Sequence, residues 1–353
     1  MAKPVLKWAG GKRQLLDDIY ARFPADYDRY FEPFLGGGAV FFNLEPARAT
    51  VNDANPRLVT FYEQVRDSPE ALIDCLREFR DPESDPDPDL EFSETDRNGA
   101  PVEQYYYQQR ARFNRRAYGG REGTGADAGG EGTGADAGGE GTGADATGGG
   151  DDPSGADTNW PASAADRLEE AALLLYLNRT CYNGLYRENS AGGFNVPIGR
   201  YADPDWVQAD RIRAASRVLE PATLDNADFA DVLAEAGAGD LVYCDPPYEP
   251  MSATADFAEY SAGGFDRDDQ ERLLDAVCRL DDRGVHVVLS NSGVTYDRYA
   301  DAGFAVSRVS ATRAINSDET GRDAVDEVLV TNVPESERAG RRQRSLDDYE
   351  EAE

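Results

Sequence analysis

The sequence predicts an α/β protein in which one sheet draws strands from both ends of the chain and the middle forms a second lobe. Three observations predict it. Residues 1–65 alternate apolar strand-like runs with turn signals, residues 240–333 resume that alternation, and the stretch between them is helical and rich in aromatic residues and arginine. At 353 residues the chain exceeds a typical domain of ~100–200 residues, so one large domain with an insertion, or two domains, is expected.

The elements follow in order. Tyr30–Phe34 reads as a strand, Gly36-Gly37-Gly38 as a tight loop, Ala39–Leu44 as the start of a helix, and Thr50–Asp53 as a second strand ending in polar residues. Residues 66–80 look helical. Residues 81–100 carry eight acids, one arginine and three prolines, and read as a solvated, extended loop. Residues 101–118 have a helical pattern that includes Tyr105, Tyr106, Tyr107, Arg110, Arg112 and Phe113. Residues 119–160 break it with Glu-Gly-Thr-Gly-Ala-Asp-Ala repeated at Glu122, Glu131 and Glu140, a period of nine. That period raises a calcium-binding β-roll, but Gly134 stands where its first Asp is required and Ala137 where it needs a bulky apolar residue, so a flexible linker is expected instead. A helix follows over 166–178, opened by Asp166. Leu241–Cys244 and Val285–Ser290 read as buried strands, Asp268–Arg283 as an amphipathic helix, and Ala305–Val309 with Val325–Thr331 as a closing antiparallel pair. From 334 onward charge alternates without apolar periodicity, and a disordered tail over 334–353 is expected.

Composition removes several classes. With 40% hydrophobic and 10% aromatic residues the chain can build a core. It has no run of ~18 apolar residues, and its start lacks a signal-peptide apolar stretch, so no membrane association is expected. Four scattered cysteines without a Cys-x-x-Cys pair, and the single His286, suggest neither a disulfide framework nor a metal site. Taken alone, the net charge of −32 argues against a nucleic-acid partner. Yet 33 of the 36 basic residues are arginine. An acid-rich, lysine-poor chain suits a high-salt cytoplasm, where a Debye length of ~3 Å screens self-repulsion and carboxylates keep the surface hydrated. An ordinary acidic protein is the plainer alternative.

Four segments could carry chemistry. Asp245-Pro246-Pro247-Tyr248 follows the apolar strand Leu241–Cys244 and puts a carboxylate and rigid carbonyls at the carboxyl edge of a sheet. Asp245 and the Pro246 carbonyl could orient an exocyclic amine, and Tyr248 could stack on a planar base. A plain strand-ending turn is the alternative. Phe31–Phe41, with Gly36 and Gly38 between strand and helix, would let a ligand approach the backbone, and Asp53, about 17 residues on, stands where a nucleotide-type site binds a ribose diol. Lys7-Trp8-Ala9-Gly10-Gly11-Lys12 holds two of the three lysines, which suggests positions needing a compact ammonium unless chance kept them in a mobile terminus. Leu177–Asn189 and Gly192–Tyr201 read as a helix end followed by a glycine-turned hairpin, either structural or suited to base reading by arginine and duplex wedging by aromatic or leucine side chains.

Taken in order, Lys-Trp-Ala-Gly-Gly-Lys, Glu-Pro-Phe-x-Gly-x-Gly, Asn-Asp-x-Asn, Leu-Asn-Arg-x-x-Tyr-Asn-Gly-Leu-x-Arg-x-Asn, Phe-Asn-Val-Pro-x-Gly-x-Tyr and Asp-Pro-Pro-Tyr resemble the Dam family, the D12 class of DNA adenine-N6 methyltransferases. The segment from Tyr248 to Phe257 also looks like that family's loop after the catalytic motif. The resemblance covers residues 3–80, 102–116 and 166–333. It implies a Rossmann-like methyltransferase sheet with a helical target-recognition lobe and β-hairpin inserted between cofactor and catalytic motifs. The catalytic domain would span 1–65 and 220–333, and the recognition domain 66–219 with acidic insertions at 81–101 and 117–165.

The resemblance further implies S-adenosylmethionine as methyl donor and double-stranded DNA as partner. Trp8, Lys12, Asp53 and Asp245 would contact the donor, with Phe34 and the Gly36–Gly38 loop shaping its pocket. Asp245, Pro246, Pro247 and Tyr248 would form the catalytic motif that holds a flipped adenine. Lys7, Leu185, Arg187 and Pro197 match base-reading positions, Tyr182, beside Asn183, the duplex wedge, and Asn189 and Arg200 backbone contacts. The family reads GATC. Tyr186 and Glu188 depart from its hairpin pattern. The chemistry needs the adenine out of the stack, at a cost of a few kcal/mol, with stacking on Tyr248 returning ~1–3 kcal/mol. Transfer is then in-line displacement whose gain is mostly orientation, with no metal. A cytosine-N4 enzyme is the nearest alternative, disfavoured by Asp rather than Ser at 245; an idle DNA-binding homologue is another. A cognate restriction endonuclease is compatible with this reading, but nothing points to one. More than half of the net negative charge falls in 81–100, 119–160 and 334–353, outside the matched segments, so acidity reads as outer-surface adaptation rather than as evidence against DNA.

Overall fold

The apolar runs at both ends of the chain join in one seven-stranded sheet. The strands are β1 (Tyr30–Glu32), β2 (Ala49–Asn52), β3 (Thr223–Asp225), β4 (Leu241–Cys244), β5 (His286–Ser292), β6 (Ala305–Ala311) and β7 (Val325–Thr331), in the order β3-β2-β1-β4-β5-β7-β6. This computed structural model describes residues 2–96, 99–117, 163–189, 192–248, 265–311 and 325–339. β7 runs antiparallel to both neighbours, and the other pairings are parallel. β1 and β4 lie side by side, with Tyr30 opposite Leu241 and Phe31 opposite Val242, although more than 200 residues separate them. From β1 the chain continues toward β2 on one side, while β4 lies on the other. That reversal opens a crevice at the carboxyl ends of β1 and β4, the place where open α/β sheets take ligands.

Among the described residues there are ten α-helices: α1 (Leu16–Tyr20), α2 (Ala39–Leu44), α3 (Pro56–Asp67), α4 (Pro69–Arg77), α5 (Tyr105–Ala117), α6 (Ala164–Thr180), α7 (Ala209–Leu219), α8 (Phe229–Ala234), α9 (Arg267–Asp282) and α10 (Tyr296–Asp301). One buried cluster joins Leu6, Ile19, Phe41, Phe61, Leu72, Phe113, Leu174 and Ile212, and so unites the N-terminal segment with α1–α7. The second, built from Phe31, Leu233, Val242, Leu273, Val287 and Tyr299, lies under α8–α10. Apolar residues on both faces explain why β4 is buried throughout and reads as a continuous apolar run. Arg57 and Glu170 form a buried pair at 3.3 Å, with the guanidinium 3.8 Å from the Phe113 ring centroid, and so tie α3, α5 and α6 together.

Several expectations are corrected. The helix expected over 66–80 is two helices, α3 and α4, split at Ser68. Pro69 has no amide hydrogen for an uninterrupted helix but suits a first helical position. The stretch 81–101 is irregular as expected, yet it is tied to α5: Gln108 donates to the Asp87 carbonyl (3.1 Å) and accepts from the Asp87 amide (3.0 Å), and the Tyr105 amide donates to Ser84 (2.7 Å). The hairpin at 182–201 is not a continuous ladder. It is pinned at Cys181–Ile198 and Glu188–Phe194. Residues 334–339 are not a disordered tail: Ala25 donates to Glu337 (2.9 Å) and Ala339 to Phe23 (3.0 Å), backbone bonds that leave no side-chain pattern. The repeat at 122–148, residues 249–257 of the loop after the catalytic motif and residues 340–353 lie outside the described residues. Among the described residues no helix is long and apolar enough to cross a membrane.

Candidate active site

At the end of β4 the chain turns through Asp245-Pro246-Pro247-Tyr248. Lys12, in the short helical turn Lys12–Leu15, reaches this turn from the N-terminal segment. Its Nζ lies 3.0 Å from Asp245 Oδ1 and 4.6 Å from the Tyr248 ring centroid, and it donates to the Gly10 carbonyl at 2.8 Å. Ser290, on neighbouring β5, also donates to Asp245 Oδ1 (2.8 Å), and its hydroxyl meets that of Tyr243 at 3.1 Å. Rigid, outward-facing proline carbonyls are what the Asp-Pro-Pro turn predicts at this sheet edge. The Pro247 carbonyl departs from this, because buried Gln270 of α9 donates to it (3.0 Å), and Asn291 donates to Gln270 in turn (3.0 Å). Asp245 Oδ2 and the Pro246 carbonyl accept from no donor among the described residues.

The loop after β1 lies alongside. Its geometry depends on Asp53, at the end of β2, which accepts from the Gly36 amide on Oδ2 and from the Asn55 amide on Oδ1, both at 2.9 Å. Tyr62 of α3 donates to the Gly36 carbonyl (2.9 Å). Gly36 has φ +49°, and a Cβ there would come within 2.9 Å of Trp8 Cδ1; one on Gly38 would come within 2.7 Å of Phe42. Glycine is therefore required on both conformational and steric grounds. Phe34 forms an aromatic wall with Phe229 (5.3 Å between centroids) and Phe265 (5.6 Å).

The third element is the segment after α6. The amide of Asn178 locks Lys7 in place by accepting from its backbone N–H (2.8 Å) and donating to its carbonyl (2.7 Å). Lys7 Nζ lies 3.4 Å from the Tyr201 hydroxyl and 4.5 Å from its ring centroid. Tyr182, Asn183, Arg187, Pro197 and Arg200 are exposed, while Leu185 and Asn189 are half-buried. Asn183 takes the left-handed conformation (φ 55°) and so turns the chain after α6. Arg187 Nε donates to Asn195 (2.7 Å), and Asn189 Oδ1 accepts from the Gly193 amide (2.9 Å), so its side chain holds the turn. Tyr186 is buried, stacked on Trp8, and donates to Glu188. The two residues that depart from the hairpin pattern therefore face each other rather than outward.

Burial dominates the electrostatics. It raises the carboxyl groups of Asp245 and Asp53 above their ordinary range, although Lys12 and Ser290 oppose it at Asp245 and two backbone amides at Asp53. Glu32, at the end of β1, is pushed up to about 8 by burial, and the Asp245 charge adds to the effect while the Tyr30 hydroxyl (2.6 Å) opposes it. Burial, then Arg179, lowers Lys7. Sequence reasoning gave no role to Glu32, Ser290, Gln270 or Glu327. Glu327, on β7, accepts from the Tyr248 hydroxyl (2.7 Å) and lies 3.8 Å from Lys12 Nζ. No linear motif places it there; only its polarity within a buried strand stands out. Among the described residues no group of three or more His, Cys, Asp or Glu could hold a metal ion.

A family model described as D12 class N6 adenine-specific DNA methyltransferase matches residues 8–315. A Type II methyltransferase, M1.LlaDCHI, of Lactococcus lactis subsp. cremoris is 34% identical over 94% of this chain and 95% of its own. The Type II methyltransferase M.MjaIII of Methanocaldococcus jannaschii is 31% identical over 94% and 99% respectively. The DNA adenine methylase of Escherichia coli K12 is 32% identical over 93% and 95%. The family description names adenine N6, so the cytosine-N4 alternative falls. A Rossmann-like sheet, a site at its switch point and a family match over nearly the whole chain agree: the chain belongs to the D12 class of N6 adenine-specific DNA methyltransferases, enzymes that methylate adenine in DNA.

Proposed function

We propose that the chain transfers a methyl group from S-adenosylmethionine to N6 of an adenine turned out of duplex DNA, within GATC. The observation that carries this reading is the pair of acceptors at the β4 end. Asp245 Oδ1 is held by Lys12 and Ser290, whereas Asp245 Oδ2 and the Pro246 carbonyl, in the same turn as Tyr248, accept from no donor among the described residues. An exocyclic amine has two hydrogens to donate, and two acceptors fix its lone pair toward an electrophile.

The neighbouring loop fits an adenosine-bearing donor. Phe34 supplies an apolar ring face, Asp53 a carboxylate for a ribose diol, and Gly36 a backbone free of a Cβ. Trp8, Lys12 and Gly38 complete that wall. Bound there, the donor supplies an electrophilic methyl group. Tyr248 stacks on the base, and the burial of Asp245 strengthens its hydrogen bonds. Lys7, Tyr182, Leu185, Arg187 and Pro197 would meet the duplex, with Asn183, Asn189 and Arg200 shaping or contacting its backbone. We further propose that 1–65 with 220–333 forms the catalytic part and 66–219 the recognition part, and that the lysine-poor acidity suits a high-salt cytoplasm.

The test is incubation with unmodified plasmid, S-adenosylmethionine and molar salt, followed by an endonuclease that cuts only methylated GATC. Cleavage is expected. Uncut plasmid that contains N6-methyladenine by mass spectrometry would move the site away from GATC. Donor binding without any methylation would refute the assigned chemistry.

A further inference from the structure

Stacking on a base needs only the π-face of a ring, and phenylalanine would provide one. Tyr248 nevertheless carries a hydroxyl that donates to Glu327 Oε2 at 2.7 Å. Glu327 is 6% exposed and set on β7 opposite Ser292 of β5 and Val309 of β6, so its carboxylate has a rigid base. The Lys12 ammonium lies 4.6 Å from the Tyr248 ring centroid and 3.8 Å from the same Glu327 oxygen. The ring is thus held at its rim and covered on one face.

We propose that Glu327 is a positioning residue that acts through Tyr248. Its carboxylate holds the hydroxyl so that the plane of the ring is set before the base arrives, while Lys12 takes one face and leaves the other for adenine. The proposal rests on the reading that Tyr248 stacks on the flipped base. Its benefit is orientation: a platform already fixed costs no ordering when the base docks.

Four variants of the full chain test it: Glu327→Ala, Glu327→Gln, Tyr248→Phe and Tyr248→Ala. Each is assayed for kcat, for KM toward duplex DNA, and for fluorescence of DNA carrying 2-aminopurine at the target position. Glu327→Ala should lower kcat about tenfold or more while KM for DNA stays within about twofold, and should lose the 2-aminopurine signal of the docked base. Glu327→Gln, whose amide oxygen still accepts the hydroxyl, should stay within about threefold of the parent. Tyr248→Phe should be as slow as Glu327→Ala, and combining the two should be no slower than either. Full activity of Glu327→Ala, additive losses in the double variant, or a Gln variant as slow as Ala would overturn the proposal; the last would assign the role to the charge facing Lys12. Should Glu327→Ala not fold, the near-isosteric Tyr248→Phe and Glu327→Gln pair still decides it. If Tyr248→Ala keeps full activity, the stacking reading itself fails. If Tyr248→Ala is slow and Glu327→Ala is not, only the role of Glu327 fails.

Discussion

Trp8 and Tyr186 lie nearly face to face, with ring centroids 5.2 Å and ring planes 26° apart. Trp8 packs over the Gly36-Gly37 loop, and Tyr186 belongs to the segment that carries the exposed Tyr182 and Arg187. One aromatic contact therefore joins the loop proposed to bind the donor to the segment proposed to meet DNA. Tyr186→Ala should cost about 3 kcal/mol of stability, as for other buried aromatic rings, and weaken donor binding by loosening Trp8. Tyr186→Phe keeps the stack and loses only the bond to Glu188, so it should cost about 1 kcal/mol. Urea unfolding and calorimetric titration of the donor give both values.

Asp245→Ala should abolish methyl transfer with the fold retained. It removes the 3.0 Å partner of a buried ammonium, yet Glu327 remains 3.8 Å from Lys12. The loss of stability should therefore be about 1–2 kcal/mol, below the ~3–5 kcal/mol typical when a buried charge is left wholly unpaired. Methylation assays with denaturant unfolding of the same sample measure the two effects. Retained transfer would refute the role of the carboxylate.

Gly36→Ala combines two penalties. A φ of +49° disfavours any residue with a Cβ, and that Cβ would sit 2.9 Å from Trp8 Cδ1 and 3.1 Å from Nε1. Trp8 must move, and with it the wall of the proposed donor pocket. Donor affinity should fall about tenfold or more, with stability lowered by about 1–2 kcal/mol. Titration calorimetry reads the first, thermal unfolding the second.

Stability should depend on pH through Glu32. Its carboxyl is raised from 4.5 to about 8, so the folded protein keeps a proton that the unfolded chain releases. That contribution is complete below about pH 4.5 and is lost as pH rises to about 8, at about 1.4 kcal/mol per unit. Asp245 and Asp53, also raised, act in the same direction. Glu32→Gln should flatten the profile by a few kcal/mol between those limits, as measured by denaturant unfolding across pH. An unchanged profile would show that Glu32 is ionised in the folded protein.

Much of the fold was legible because its signals are local. The apolar run Leu241–Cys244, the glycines at 36–38 and the alternation at 325–331 each report one element, and all three lie where expected. The split at Ser68 was missed because the apolar pattern continues across it while Pro69 interrupts the amide hydrogen bonds. The order of residues at the site was legible as well, since Lys12, Asp53, Asp245 and Tyr248 each sit in a short motif. Glu327 and Gln270 were not, because their contacts come from strand order and helix packing, which bring distant segments to one sheet edge. Asn189 matches a backbone-contact position of the family motif, yet its side chain is used by the turn it sits in.

The placement of β7 has a consequence for synthesis. It pairs between β5 and β6 although it follows both in the chain, with Leu329 opposite Ser290 and Ser307. Until residues 325–331 leave the ribosome, the inner edge of β5 has no hydrogen-bonding partner, and an open strand edge of that kind invites pairing with other chains. The Tyr248 hydroxyl also lacks the Glu327 carboxylate until then. The nascent chain thus completes its sheet and places Glu327 beside Tyr248 in the same late step, and a product released before β7 would lack both and be prone to association.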